Sequence, residues 1–450
     1  MEKLSTWRFG KKKNLLVLFM ILLLFSLTLP LSHASSNEEI LKYKIRSPMV
    51  SRVTHEITII NEGAFPAENL NVWIPIIKNE TPYHFVLIES ITSSRPYGNF
   101  ENDSSNNTYI FWKIDRISPG KLLKVKIEYS ILSFHVQYLI NADIVGEYSK
   151  ESRLYRNYTE SEKFIESDDP IIMETAKSIA GDETNPHILA LKIADFVSKN
   201  LAYVAQDKER GAVWALEHGE GDCSEFSYLF TALCRACGIP ARVKAGVAFH
   251  SNAEETSFGH MWAEYFLPNY GWIPIDLTWN QICYQDSLHF SLLHSFPIRY
   301  PYDTVFIECS APFKASIRLY QTIKISPGSI ADFEGFTLAR LTYDVISKAE
   351  TMESLNFIAT LMGARVFTPQ DYADLEAAIE EFDLMIQQSL ETDDLGRIQQ
   401  ANLQIEHIIS LSEGVIFKCG IMLALIVLIM ILIAYALGLR RRRIEGESTF

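Results

Sequence analysis

A cysteine, a histidine and an aspartate follow one another at positions 223, 260 and 276, each in a stretch whose composition could support chemistry. In "GEGDCSEF" (219–226), Asp222 is a strong helix N-cap and Glu225, three positions on, completes a D-x-x-E capping box. The apolar run "CSEFSYLFTALCRAC" then reaches Gly238 and Pro240, which predicts a helix of about 15 residues with Cys223 in its first turn. Unpaired amide N–H groups and the helix dipole favour an anion at such a position. The thiolate is the reactive form of cysteine, and the same N–H groups could hold a developing oxyanion. The competing reading of any one cysteine is a small buried residue. Cys234 and Cys237 fit that reading, standing 11 and 14 residues after Cys223 on the stripe of Phe226, Phe230 and Leu233. Their C-x-x-C spacing lacks the second pair of a zinc site and lies at a helix end. Cys283 and Cys309 could join in an oxidising compartment, and spacing leaves that open.

A thiolate needs a base that also returns the proton, usually histidine. "GHMWAEYFLPNYGWIPIDLTW" (259–279) reads as two strands, 260–267 and 272–277, joined through Pro268, Asn269, Tyr270 and Gly271. His260, Trp262, Glu264 and Phe266 share a face of the first; Trp272, Pro274 and Asp276 share a face of the second. For His260 and Asp276 to lie on the same side of the sheet, the connection must act as three or five residues, or contain a bulge. Taken singly, His260 reads as a half-exposed strand histidine and Asp276 as a solvated strand end. His218 and His250 are rival bases, but neither has a downstream acid on an obvious paired strand.

Together, "GDCSEFSYLFTALCRACGIPAR", "GHMWAEYF" and "GWIPIDLTW" resemble, in order and spacing, the transglutaminase-like superfamily over about 160–290. That resemblance implies a circularly permuted relative of the papain-like fold. It also implies a triad of Cys223 as nucleophile, His260 as base and acid, and Asp276 as its orienter. The sequence departs from the family in showing no clear equivalent of the side chain that completes the oxyanion hole, Trp214 and Gln206 being no more than guesses for it. The calcium-binding loops of the animal enzymes are not evident, so the reading assigns neither cofactor nor metal. The preceding helices and β-rich region resemble the arrangement in membrane-bound prokaryotic members.

The rest of the chain must position and place this core. Period-two runs such as "VTHEITII", "LNVWIPI" and "KLLKVKIEY" predict an Ig-like β-sandwich over 35–155. The catalytic α+β domain is expected over 156–310, opening with two helices started by Asp169-Pro170 and Asn185-Pro186. A strand and a helical stalk, broken near Pro369 and around Asp393 to Gly396, follow over 311–414. Residues 1–34 run basic, apolar, then small, as a secretory signal does, with a retained anchor as the alternative. A span over 415–439 and a tail over 440–450 beginning with Arg440 to Arg443 predict a single-pass protein with its tail in the cytoplasm. Setting aside both ends leaves 32 basic against 52 acidic residues and no basic stripe, which argues against nucleic acid as a partner. Asn79, Asn102, Asn106 and Asn157 are N-glycosylation triplets suited to an outward-facing surface.

The expectation is therefore a membrane-anchored extracellular cysteine enzyme that attacks an amide of a protein or peptide through a thioester, hydrolysis being favoured. Glutamine acyl transfer is the alternative within catalysis. A non-catalytic adhesion or scaffold protein is the alternative outside it.

Overall fold

The alternating segments pleat so that each presents one apolar row inward. In the computed structural model, which describes residues 40–103, 105–294, 306–310 and 316–447, they form six strands. These are β1 (Tyr43–Asn61), β2 (Ala67–Pro75), β3 (His84–Ser93), β4 (Phe100–Asn102), β5 (Thr108–Ile117) and β6 (Leu122–Tyr138). Val53, Ile57 and Ile59 of β1 meet Leu70, Val72 and Ile74 of β2, Trp112 of β5 and Val125 of β6 in one core. His55, on the same row of β1, is buried with them; burial pushes its pKa down to about 4, and Gln321 hydrogen-bonds its ring at 3.2 Å. The expected signal segment lies outside the described residues.

The helical period then takes over in α1 (Arg153–Thr159), α2 (Pro170–Ala180) and α3 (Pro186–Asn200). The Asp169 and Asn185 side chains cap α2 and α3, and proline opens each, as the sequence predicts. A short parallel pair, β7 (Ala202–Tyr203) and β8 (Glu220–Gly221), brackets α4 (Ala212–His218) and leads into α5 (Cys223–Ala236). There follow β9 (Ala241–Ala248), β10 (Glu254–Thr256), β11 (His260–Leu267), β12 (Gly271–Asp276), β13 (Gln281–Ile282), β14 (Tyr284–Gln285) and β15 (His289–His294). An antiparallel sheet in the order β13-β12-β11-β9-β15 carries α5 against one face, where Phe230 meets Tyr265 at 6.1 Å between ring centroids.

β16 (Phe306–Ser310) and β17 (Ile317–Pro327) alter the expected division of the chain. β17 pairs with β1 from Ser51↔Pro327 to Asn61↔Ile317, and β16 pairs with β2. The sheets begun by the N-terminal strands are thus completed by strands that follow β15. Boundaries at 155 and 310 do not separate them. Local periodicity marks a strand but not a partner some 260 residues away, so this closure was invisible in the sequence.

The chain ends in α6 (Thr337–Leu361), α7 (Ala364–Phe367), α8 (Pro369–Thr392) and α9 (Leu395–Glu447), with breaks near Pro369 and Asp393 as expected. Arg46 of β1 ties the bundle down, bonding Asp383 of α8 and Glu353 of α6, each at 2.7 Å. α9 is the one described helix long and apolar enough to cross a membrane. It runs without a break from the bundle into its apolar segment.

Candidate active site

The start of α5 is built by its neighbours in sequence. The Asp222 carboxylate accepts from Ser224 N at 3.1 Å, and Glu225 Oε2 reaches back to Asp222 N at 3.0 Å, closing the predicted capping box. Gly221 makes room for it, since a Cβ there would stand 2.3 Å from Glu225 Cβ. The box uses the N–H groups on either side of Cys223 but not that of Cys223 itself. The thiol itself is half-buried at the helix N-terminus.

The hairpin supplies the partner ring. β11 and β12 pair from Leu267↔Gly271 back through Glu264↔Pro274, so the connection is the three residues Pro268, Asn269 and Tyr270. Asn269, at φ +73°, and Gly271, at φ +89°, take the left-handed turn. This register puts His260, Trp262, Glu264 and Asp276 on one face, as the chemistry required. His260 Nε2 lies 2.5 Å from Asp276 Oδ2. Burial opposes charge on the His260 ring, but hydrogen bonds with Asp276 and then with Cys223 raise its pKa to about 9. Burial likewise opposes charge on Asp276, yet bonds from His260 and His289 hold its pKa far below the carboxylate range. The three residues singled out from the sequence therefore form one connected row.

The row continues through a residue that sequence reasoning missed. His289, fully buried at the start of β15, places Nε2 3.3 Å from Asp276 Oδ2 and Nδ1 2.7 Å from Asp286 Oδ1. Burial lowers its pKa, but Asp276 and Asp286 outweigh that and raise it to about 9. Gly246 lets β15 come close: a Cβ there would meet the Phe290 carbonyl oxygen at 2.1 Å. "DSLH" showed an acid three residues ahead of a histidine, but nothing local tied that pair to Asp276. Trp279 packs over both rings, with centroids 5.5 Å from His260 and 4.9 Å from His289. Ligand atoms of His260, Asp276 and His289 lie within 4.8 Å of one another, a set able to hold a metal ion. The hydrogen bonds of the row already account for their approach.

The remaining candidates lie elsewhere. His218 bonds the Trp214 carbonyl at 2.9 Å and stacks on the indole, and His250 is exposed beside Glu254. The Gln206 amide donates to the Val204 carbonyl at 2.9 Å, and the Trp214 indole is occupied by the His218 ring. Cys234 and Cys237 are free thiols; burial raises the first pKa well up and the second to about 11. Cys283 is also free and buried, its sulfur 3.3 Å from the Tyr265 hydroxyl, while the Cys309 side chain lies outside the described residues.

A thiol, an imidazole and a carboxylate presented by a helix start and a β-hairpin define a transglutaminase-like core. Residues 173–277 match the sequence profile of the transglutaminase-like superfamily, so this segment is similar to that superfamily's core. An uncharacterised protein of Haemophilus influenzae (strain ATCC 51907 / DSM 11121 / KW20 / Rd) is 31% identical over 132 residues, 24% of this chain and 36% of the relative. The match thus spans little more than a third of that relative's length. Among solved structures, one from Cytophaga hutchinsonii, provisionally described as a cysteine protease, overlays with a TM-score of 0.48 at 15% identity, covering 63% of this chain and all of the other. Red sea bream transglutaminase overlays at 0.24 and 12% identity, covering 53% and 50% of the two chains.

Proposed function

We propose that this chain is a cysteine enzyme that cleaves amide bonds of a peptide or protein through a thioester acyl-enzyme. One observation carries the reading: Cys223 at the start of α5 hydrogen-bonds a ring that Asp276 holds at 2.5 Å and keeps protonated at neutral pH. An imidazolium beside the sulfur and the positive end of the helix put favourable charge around the nucleophile. The sulfur attacks the carbonyl carbon, forming a C–S bond while the carbonyl electrons move to oxygen. The Cys223 N–H, which the capping box leaves out, donates to that oxyanion in this reading. His260 gives its proton to the leaving nitrogen as the C–N bond breaks. The now neutral ring takes a proton from water, whose oxygen attacks the thioester, and the thiolate leaves. Exposed Tyr203, in the strand paired with β8, and exposed Phe258, two residues before His260, offer aromatic flanks for an extended peptide.

α9 serves in this reading as a single span, with Arg440 to Arg443 on the cytoplasmic side and the catalytic domain outside. The triad reading is tested by iodoacetamide labelling of the full-length protein near neutral pH, with mass mapping. Fast labelling confined to Cys223 and slowed in His260→Ala is expected. Labelling of Cys223 no faster than a simple thiol would return the chain to the scaffold reading.

A further inference from the structure

We infer a second membrane contact: the tip of the helical bundle, where α6 turns through α7 into α8, lies in the interfacial layer of the bilayer. The inference rests on reading α9 as a span, and the height of the tip comes from its contacts with that helix. Lys418 is the last charged residue of α9 before Arg440. It pairs with Asp371 at the start of α8 at 2.7 Å. One residue on, Cys419 Sγ lies 3.8 Å from Thr368 Oγ1, and Met362 Cε lies 3.7 Å from where a Cβ on Gly420 would stand. The turn is therefore level with the first uncharged turn of the span, where hydrocarbon gives way to headgroups.

The surface at that level is apolar without any protein covering it. Leu361 is 71% exposed, Val366 53%, Phe357 64% and, across on α9, Phe417 70%. They form a collar continuous with the exposed side chains of the span, such as Ile421 and Leu425. Arg365 and Lys418 lie among them, with carboxylate partners in Glu376 and Asp371. Aromatic and aliphatic side chains interspersed with basic ones are the composition that favours the headgroup–acyl boundary. Higher on the bundle the exposed positions are mainly polar or charged, with Leu395 and Leu403 as the exposed large apolar side chains of α9 there. A bilayer already brought to this level by α9 is the occupant that fits a collar around the helix. Two contacts instead of one would fix the tilt of the bundle, and with it the height at which the Cys223 site is held.

The test uses the full-length protein in phosphatidylcholine vesicles, with a fluorescent non-native amino acid placed at position 361, 366, 403 or 429, one at a time. Each preparation is compared with and without a lipid carrying a nitroxide near the top of its acyl chain. All four positions are exposed, so the label displaces no packing. Quenching at 361 and 366 severalfold above that at 403, with 429 also accessible to a deeper nitroxide, is the expected result. Quenching at 361 and 366 no greater than at 403, while 429 is quenched, would overturn the interfacial tip and leave the span intact. An unquenched 429 would overturn the span and this inference with it. Concentration-dependent energy transfer between labels at 361 without lipid quenching would assign the collar to a second copy and likewise overturn the inference.

Discussion

Two rows of buried charge lie on the same face of the five-stranded sheet, and they are put to different uses. The first runs from Cys223 through His260, Asp276 and His289 to Asp286. The second joins Lys244 of β9 to Glu80 at 2.6 Å and to Glu264 of β11 at 3.3 Å, while Arg242 bonds Glu264 at 2.7 Å. Burial opposes charge on Glu80 and Glu264, and the cations, Lys244 first, overcome it and lower both pKa values. His294 and Ser291 complete the shell around Glu80, which comes from the loop after β2 and so ties this sheet to the β-rich layers. Every member of the second row faces an opposite charge, and its centre, Lys244 and Glu264, is fully buried. The first row ends in a neutral thiol or its anion, half-open to solvent. Buried ionisable groups alone therefore do not mark a reactive site; in the proposed reading it is the thiol at the open end of the first row that does.

The sharpest way to break this comparison is to delete that end. Cys223→Ser should lower amide turnover by at least about 10³-fold. Its thermal unfolding should be unchanged, because Cys223 is only half-buried and the capping box does not use its side chain. A large fall in melting temperature would make the thiol a packing residue. The converse change, Lys244→Ala, strands Glu80 and Glu264 without their shared cation. It should cost about 3–5 kcal/mol of stability, as breaking a buried pair does. Denaturant unfolding measures the loss, and Cys223 alkylation in the protein that remains folded should keep its wild-type rate.

The first row was largely legible in the sequence and the second was not. Asp222, Glu225 and the apolar stripe after them specify a helix and its starting residue by local rules, so the environment of Cys223 followed. The face shared by His260 and Asp276 could be demanded from chemistry, and the three-residue turn supplies it. Nothing local marked Lys244 and Arg242 as partners of Glu264, because the cluster closes only through Glu80 from another layer. His289 was hidden for the same reason: it reaches Asp276 only because β15 pairs with β9 across Gly246. Contacts set by pairing between distant strands leave no local period. The closure of the N-terminal sheets by β16 and β17 escaped for that reason too.

Within the reactive row, Asp276→Asn should have the next largest effect. Asp276 is the leading influence raising the His260 pKa to about 9, against a burial that lowers it. Without the anion, the imidazolium is lost at lower pH, so the alkaline limb of activity should move down by about 2 units. Turnover at neutral pH should fall by about 10²-fold, the scale of impaired proton transfer. A pH–rate profile checks this, and an alkaline limb that stays in place would mean that Asp276 is not what charges the ring.

The smallest expected effect falls on His289, which touches Asp276 but not the thiol. Its charged ring both orients the carboxylate and draws charge from it, so removal should act in two opposite ways. The first loosens Asp276 and misaims His260; the second makes Asp276 a stronger partner, nudging the His260 pKa up. His289→Gln together with Asp286→Asn avoids stranding a buried carboxylate while retaining a donor near Asp276. That double variant should lower kcat by about tenfold or less, equivalent to about 1.4 kcal/mol of transition-state stabilisation, with KM unchanged. Its alkaline limb should stay or rise slightly, the opposite direction to Asp276→Asn. Should the limb fall with the rate, His289 would be supporting the charge on Asp276 rather than only its position, and the row would titrate as one unit out to Asp286.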